Sequence, residues 1–276
     1  MIIEELLVYG NKYLHKDKVK LILSTILSIN PLELTINLDK KIDKDLIDKY
    51  KKAIDYVKDG KPIQYALSNA CFYGYDFYVN ENVLIPRFET EELVFNTLNY
   101  LNKYFENPKV LDMCTGSGCI GLTMKKENPT ISITLADISN KALDVLKINL
   151  EKLGINGEVI QTDLFENISC KYDVLVSNPP YISYNDEVDE LVKNNEPAIA
   201  LYADNNGLSI YERLLKDCET YLNDKYMIAL EIGANQKDSV IEIINKYLKN
   251  VSIITKKDAS NRDRIIFVFK NINLNE

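Results

Sequence analysis

At 276 residues, 46% hydrophobic and 27% charged, the chain has apolar material for one large folded domain or two smaller ones, and lacks a disordered or fibrous composition. Its net charge of −8 argues against life on a phosphate backbone, where counterion release favours basic surfaces. Five cysteines with neither a CxxC pair nor a Cys/His cluster, and His15 as the only histidine, argue against a zinc site or a histidine-based triad, so no metal is expected.

The opening MIIEELLVYGNKYL carries two early glutamates and no basic leader, and no apolar run reaches the roughly 18 residues of a membrane span. A reduced, cytoplasmic protein is expected. Residues 1–66 read as helical, with stripes at Leu6, Leu7, Tyr13 and Leu14, at Val19, Ile22, Leu23, Ile26 and Leu27, and at Leu46, Ile47, Tyr50, Ile54 and Val57. Pro31 separates the second stripe from the third, and Gly60-Lys61-Pro62 closes the segment. Residues 67–88, with the alternating CFYGYDFYVNENVLIP, predict a β-hairpin linker.

Residues 89–276 alternate between helical and strand patterns. Helices are expected at 89–105, from about 118, and at 139–153, 208–222 and 235–248. Strands are expected at 109–113, 132–136, 157–161, 172–177, 226–231, 251–255 and 265–270. Such alternation implies an α/β fold with a mainly parallel seven-stranded sheet. The last two strands leave no room for a crossover helix, so the final one is expected to be antiparallel.

Within that pattern, VLDMCTGSGCIG is a strand, a glycine-rich turn and a helix start. Gly116, Gly118 and Gly121 satisfy G-x-G-x-x-G, which admits a nicotinamide dinucleotide. Three carboxylates at successive strand ends point elsewhere. Asp137 can accept both hydroxyls of a ribose, Asp163 can accept from an adenine amino group, and Asp112 can hold an ammonium group directly or through water. A pyrophosphate would be repelled by Asp112, whereas the methionine part of S-adenosylmethionine would be attracted. S-adenosylmethionine is therefore the expected ligand, with S-adenosylhomocysteine as product.

At the next strand end stands SNPPYIS, residues 177–183. The Asn178 side-chain oxygen and the Pro179 carbonyl can each accept an N–H. The prolines stiffen that carbonyl, and Tyr181 can stack on a planar group. Together they would grip a planar NH2 group and aim its nitrogen at a methyl donor, supplying orientation in place of a strong base.

The segments PIQYALSNACFYGYDFYVNENVLIPRFETEELV, VLDMCTGSGCIGL, ADISNKAL, VSNPPYI, EPAIALYADNNGLSIYERL, LEIGANQ and NRDR, in one order over roughly residues 62 to 270, resemble the HemK/PrmC family of release factor glutamine N5-methyltransferases. NPPY alone is shared with adenine and RNA methyltransferases and with a ribosomal-protein glutamine methyltransferase; its combination with IPRFETE and NRDR is more specific. The resemblance implies a class I S-adenosylmethionine-dependent methyltransferase fold, Rossmann-like, with an N-terminal helical domain that docks the protein substrate. It implies donor contacts from Thr115, Gly116, Ser117, Gly118, Asp137 and Asn178, extended to Asp112, Asp163 and Leu164. It places the glutamine of the Gly-Gly-Gln loop of peptide-chain release factors on Asn178, Pro179, Pro180 and Tyr181, bordered by Phe77 and by the segment from Arg87 to Glu91. Phe88 stands where that family usually has proline, Ser260-Asn261 replace a usual glycine, and Cys114 opens a turn that often begins with glycine.

Arg262 and Arg264 are expected in structural ion pairs. A monomer is expected, with release factors as partners and no direct nucleic-acid binding. Three readings compete: glutamine methylation of a ribosomal protein; methylation of a nucleic-acid adenine, which would favour a basic groove; and a non-catalytic ligand-binding protein, which the intact Asp112, Asp137 and Asn178–Tyr181 set disfavours.

Overall fold

Apolar residues three and four apart fold the first part of the chain into helices, because that spacing lines one side of a 3.6-residue turn. The computed structural model describes residues 1–274. Its helices begin with α1 (Ile3–Asn11), α2 (Lys16–Leu27), α3 (Glu33–Ile36), α4 (Lys44–Lys58) and α5 (Ile63–Leu67). Ile3, Leu6, Val19, Ile22, Leu23, Tyr50 and Ile54 form their core, and the buried Tyr50 hydroxyl donates to the Leu6 carbonyl at 2.9 Å. Tyr13, expected in the stripe, is 44% exposed. His15 sits at the start of α2, its Nδ1 accepting from the Asp17 amide at 3.5 Å.

A short antiparallel hairpin follows, β1 (Ala70–Phe72) and β2 (Tyr75–Phe77), closed by Tyr73 and Gly74 with φ of 54° and 79°. Two positive φ values in a two-residue loop match the twist of the flanking strands. The remaining elements are α6 (Phe88–Tyr104), β3 (Lys109–Met113), α7 (Cys119–Glu127), β4 (Ser132–Asp137), α8 (Asn140–Leu153), β5 (Glu158–Gln161), β6 (Tyr172–Ser177), α9 (Glu190–Asn195), α10 (Ala198–Leu201), α11 (Asp204–Gly207), α12 (Ser209–Asp217), β7 (Leu222–Glu231), α13 (Lys237–Tyr247), β8 (Val251–Lys257) and β9 (Asp263–Lys270).

Two units result: Met1–Asn69 with Val79–Glu81 and Asp189–Asn195, and Ala70–Tyr78 with Asn82–Val188 and the chain from Glu196 onward. The hairpin thus groups with the larger unit instead of forming a separate linker over 67–88. Segment Asp189–Asn195, expected within the α/β domain, groups with the N-terminal helices.

In the larger unit the sheet runs β5-β4-β3-β6-β7-β9-β8, parallel through β7, with β9 antiparallel to both of its neighbours. Period-two alternation divides the strands between two cores. Val110, Ile133, Val174 and Phe267 pack with Leu93 of α6, Leu122 of α7 and Leu146 of α8. Leu111, Leu175, Ile228 and Val268 pack with Leu214 of α12 and Val240 of α13. The chain winds one way from β3 to β5 and the other way from β6 to β7, so the strand order reverses between β3 and β6. Open α/β sheets bind ligands beyond the carboxyl ends of strands at such a switch point. No helix among the described residues is long and apolar enough to cross a membrane.

Phe77 corrects an expectation. The residue is fully buried in the first core, its ring edge-on to Phe72 with centroids 6.0 Å apart, and it does not line the cavity at the switch point. The alternation of β2 turns residue 77 inward. Phe77→Ala should cost about 3–5 kcal/mol of stability in denaturant unfolding. A loss below about 1 kcal/mol would remove the ring from the core.

Candidate active site

Within the larger unit, the ends of β3, β4, β5 and β6 open onto one cavity with about 1140 Å3 of non-atom space, open mouth included. The first wall is the turn after β3, where Cys114, Gly116 and Gly118 take φ of 61°, 56° and 83°. Thr115, Gly116 and Ser117 line the cavity; Gly118 precedes α7, its amide bonded to the Thr115 carbonyl at 2.9 Å.

Asp112 holds this turn from beneath. Its Oδ2 accepts from the Thr115 hydroxyl at 2.6 Å and the Gly121 amide at 2.9 Å. A Cβ at position 121 would lie 2.9 Å from that oxygen, so glycine allows α7 to come this close. Asp112 is fully buried and does not line the cavity, so of the two expected modes, direct or through water, the direct one does not fit this geometry. Burial raises its carboxyl to about 7. Its Oδ1 has no protein partner. A buried carboxylate oxygen with spare lone pairs would favour positive charge brought near it, even from one layer back.

Asp137, at the end of β4, does line the cavity. Its Oδ2 accepts from the Gly116 amide and its Oδ1 from the Ser139 amide, both at 2.9 Å, which ties the β3 turn to the start of α8. Each oxygen retains a lone pair for a hydroxyl. Burial raises the Asp137 pKa despite these donors. Asp163 also lines the cavity, but its Oδ1 is held by Arg213 Nη2 at 2.8 Å, leaving Oδ2 as the acceptor. Leu164 adds an apolar wall. Cys114 faces the same space, and burial, followed by the Asp137 charge, pushes its thiol up and keeps it from acting as a thiolate.

Asn178 and Pro180 line the fourth wall, beyond β6. The Ser177 hydroxyl donates to the Met113 carbonyl at 2.6 Å, pinning the β6 end to the β3 end across the switch point. The Asn178 side-chain nitrogen donates to Thr90 Oγ1 at 3.3 Å, which leaves Oδ1 as the acceptor the sequence pointed to. Pro179 is buried in the turn and, unlike Asn178 and Pro180, does not line the cavity, which leaves its carbonyl as the group the expectation rests on. The Tyr181 carbonyl accepts from Gln236 Nε2 at 2.9 Å. A Cβ on Gly207 (φ 80°) would lie 2.0 Å from that carbonyl oxygen, so only glycine fits beside the turn. Together with the prolines, these contacts make the turn rigid.

Tyr181 departs from expectation. Its ring packs with the second core, and its hydroxyl stands 3.4 Å from Glu231 Oε1 and 3.5 Å from Arg264 Nη1. It braces the turn from behind and does not line the cavity. Arg87 lines the cavity and pairs with Glu196 at 2.5 Å; Glu196 also accepts from the Ile85 amide at 3.1 Å. Arg262 pairs with Glu89 and Asp258, and Arg264 with Asp258, as structural ion pairs.

Sequence reasoning placed Thr90 only within the bordering segment 87–91, without a role, and missed Glu196, Arg213 and Glu231 as parts of this region. Glu231 had a signal, being a lone charge that ends the apolar run Met227–Leu230 of β7. It is 2% exposed, and burial raises its carboxyl to about 7.

Asp112 and Glu231 leave their ordinary values of 3.8 and 4.5 for about 7 on folding. Between those limits the folded chain binds more protons than the unfolded one, so both groups remove stability as pH rises through that window. Stability by urea unfolding should therefore fall from about pH 5 to pH 7, and Asp112→Asn should flatten the slope. An unchanged slope in the variant would show that Asp112 ionises normally.

Residues 91–200 match the family described as "Methyltransferase small domain" and residues 10–67 the one described as "PrmC N-terminal domain". The release factor glutamine methyltransferase of Bacillus subtilis (strain 168) is 39% identical over 242 residues, covering 85% of this chain and 84% of the relative. That of Streptococcus pneumoniae (strain ATCC BAA-255 / R6) is 44% identical over 210 residues, 75% of each chain. Among solved structures, the ribosomal protein L11 methylase from Lactobacillus delbrueckii subsp. bulgaricus has a TM-score of 0.52 at 15% identity, over 70% of this chain and 84% of that one, a likeness of fold alone. The N-terminal match and identities sustained over most of both chains join the sheet and its strand-end cavity in one lineage: this chain belongs to the release factor glutamine methyltransferase family.

Proposed function

We propose that this chain transfers a methyl group from S-adenosylmethionine to the side-chain amide nitrogen (N5) of the glutamine in the Gly-Gly-Gln motif of peptide-chain release factors. The observation that carries the reading is the Asn178 amide at the switch point, held by its nitrogen with Oδ1 left to accept. The cavity's chemistry fits the donor. Asp137 offers two oxygens to a ribose diol, Asp163 Oδ2 is an acceptor beside the apolar Leu164, and the unpartnered Asp112 Oδ1 supports positive charge from beneath the turn. Arg213 and Arg87, the cations here, are already paired to Asp163 and Glu196, so the wall has little to offer a pyrophosphate.

S-adenosylmethionine, when bound, supplies an electrophilic methyl group on a positively charged sulfur. The protein's task is to make a poor nucleophile attack it. An amide nitrogen has a delocalised lone pair, and a planar NH2 group carries two N–H donors. Asn178 Oδ1 and the Pro179 carbonyl accept those donors and fix the nitrogen's direction, while Pro180 walls the plane of the group. Orientation replaces basicity. The same two oxygens favour the positive charge that builds on nitrogen during alkylation, and they are aligned before the reaction by the turn's rigidity. The alkylated amide is a strong acid and gives its proton to water, so no buried base is required.

The test is methyl transfer from labelled S-adenosylmethionine to intact release factor, to a factor with its Gly-Gly-Gln glutamine changed to alanine, to a short Gly-Gly-Gln peptide, and to duplex DNA. Label should enter the intact factor and, more weakly, the peptide; the helical unit, which we assign to docking the factor, accounts for the difference. Asn178→Ala should lower kcat at least about 100-fold. Label on DNA with the factor untouched would overturn the substrate reading. Equal labelling of peptide and whole factor would overturn the docking role.

A further inference from the structure

Beside Asn178 lies a run of buried polar groups that the reaction, as derived so far, does not use; it starts at Thr90, which lines the cavity, and ends at Glu231, which does not. Thr90 of α6 is 2% exposed and Glu231 of β7 is 2% exposed, although 141 residues separate them. The Thr90 hydroxyl donates to Glu231 Oε2 at 2.7 Å and accepts from Asn178 Nδ2 at 3.3 Å. We propose that Glu231 is a positioning residue for the methyl acceptor: through Thr90 it dictates which end of the Asn178 side-chain amide faces the cavity, and so restricts the site to N–H donors. The proposal rests on the function assigned above and deepens it to substrate selection.

The count of hydrogens fixes the orientation. A hydroxyl has a single hydrogen to donate. An ionised carboxylate can only accept, so the Thr90 hydrogen is committed to Glu231. What remains of Thr90 toward Asn178 is a lone pair, and only the NH2 end of the Asn178 amide can meet it. Oδ1 must then face away, where it accepts from an incoming amide. A planar group presenting oxygen in place of N–H, such as the carboxylate of glutamate, would set acceptor against acceptor. Protonated Glu231 can instead donate to Thr90, whose hydrogen is then released toward Asn178. With either end of the amide able to meet Thr90, the orientation is no longer imposed.

Several groups act on Glu231. Tyr181 approaches from the turn after β6, with its hydroxyl 3.4 Å from Oε1. From β9, Arg264 favours the ionised form, while Glu89 of α6 opposes it. The Tyr211 hydroxyl of α12 donates to the Glu231 carbonyl at 2.7 Å, and both it and the buried Cys119 thiol of α7 feel the Glu231 charge. Burial opposes ionisation most, raising the group to about 7. The orientation therefore strengthens as pH rises through neutrality.

Two readouts test this, one independent of any acceptor. In protein labelled with 15N at asparagine, the Asn178 side-chain NH2 signals should shift with a titration near neutral pH, and the shift should vanish in Glu231→Gln. In methyl transfer, Thr90→Val and Glu231→Gln should each lower kcat/KM for the release factor at least about tenfold, while Thr90→Ser recovers most of the loss. The Kd for S-adenosylmethionine should stay within about threefold in all three, because none of these side chains accepts from the donor. The wild-type acid limb of kcat/KM should be absent in Glu231→Gln. A limb that persists there, or NH2 signals that titrate unchanged, would assign the transition to Asp112 or Asp137 and overturn the proposal. If no acceptor is methylated, the substrate reading fails, and the NH2 titration still decides the orientation.

Discussion

A carboxylate sealed from water must collect donors or give up its charge, and Asp112 is such a group at the centre of the larger unit. It lies at the end of β3, fully buried, and the donors it collects are the Thr115 hydroxyl and the Gly121 amide. Those two bonds set the path of the turn between β3 and α7. The turn's Gly116 amide in turn meets Asp137, and Asp137 reaches the start of α8. One buried acid thereby aligns the ends of two neighbouring strands.

The other half of the site depends on a second buried acid. Glu231 ends β7, adjacent to β6, and its oxygens meet Thr90 and Tyr181. Thr90 carries the constraint to Asn178, and Tyr181 carries it to the back of the Asn178–Tyr181 turn. The two acids flank the switch point: one shapes the donor side at β3 and β4, the other the acceptor side at β6. Both are costly to bury ionised, which is why both sit near neutrality. Such strain on ionisable groups is common where a site must hold polar ligands in a fixed direction.

Local chemistry made much of this legible in advance. Short β-branched runs ending in Asp or Asn marked β3, β4 and β6, and the strand at Lys109–Met113 falls where its pattern put it. Asp137 and Asn178 could be read because a polar residue just past a buried strand has only the sheet's edge to occupy. Side-chain direction was harder. Asp112, Phe77 and Tyr181 were all expected to meet a ligand, and all three turn inward, because which side of a strand or turn faces the core is settled by elements distant in sequence. The Thr90–Glu231 pair, 141 residues apart, was beyond any spacing rule. Only the oddity of a glutamate at the end of an apolar run hinted at it.

In the proposed function, Asn178 and the Pro179 carbonyl present a glutamine amide nitrogen, and no other atom, to the methyl donor. Fragment mass spectrometry of release factor after incubation with the enzyme and S-adenosylmethionine reads this directly. The account predicts one added methyl, located on the side-chain amide of the Gly-Gly-Gln glutamine and released as methylamine on hydrolysis. A methyl on any other residue, or one released from that glutamine as methanol, would contradict it.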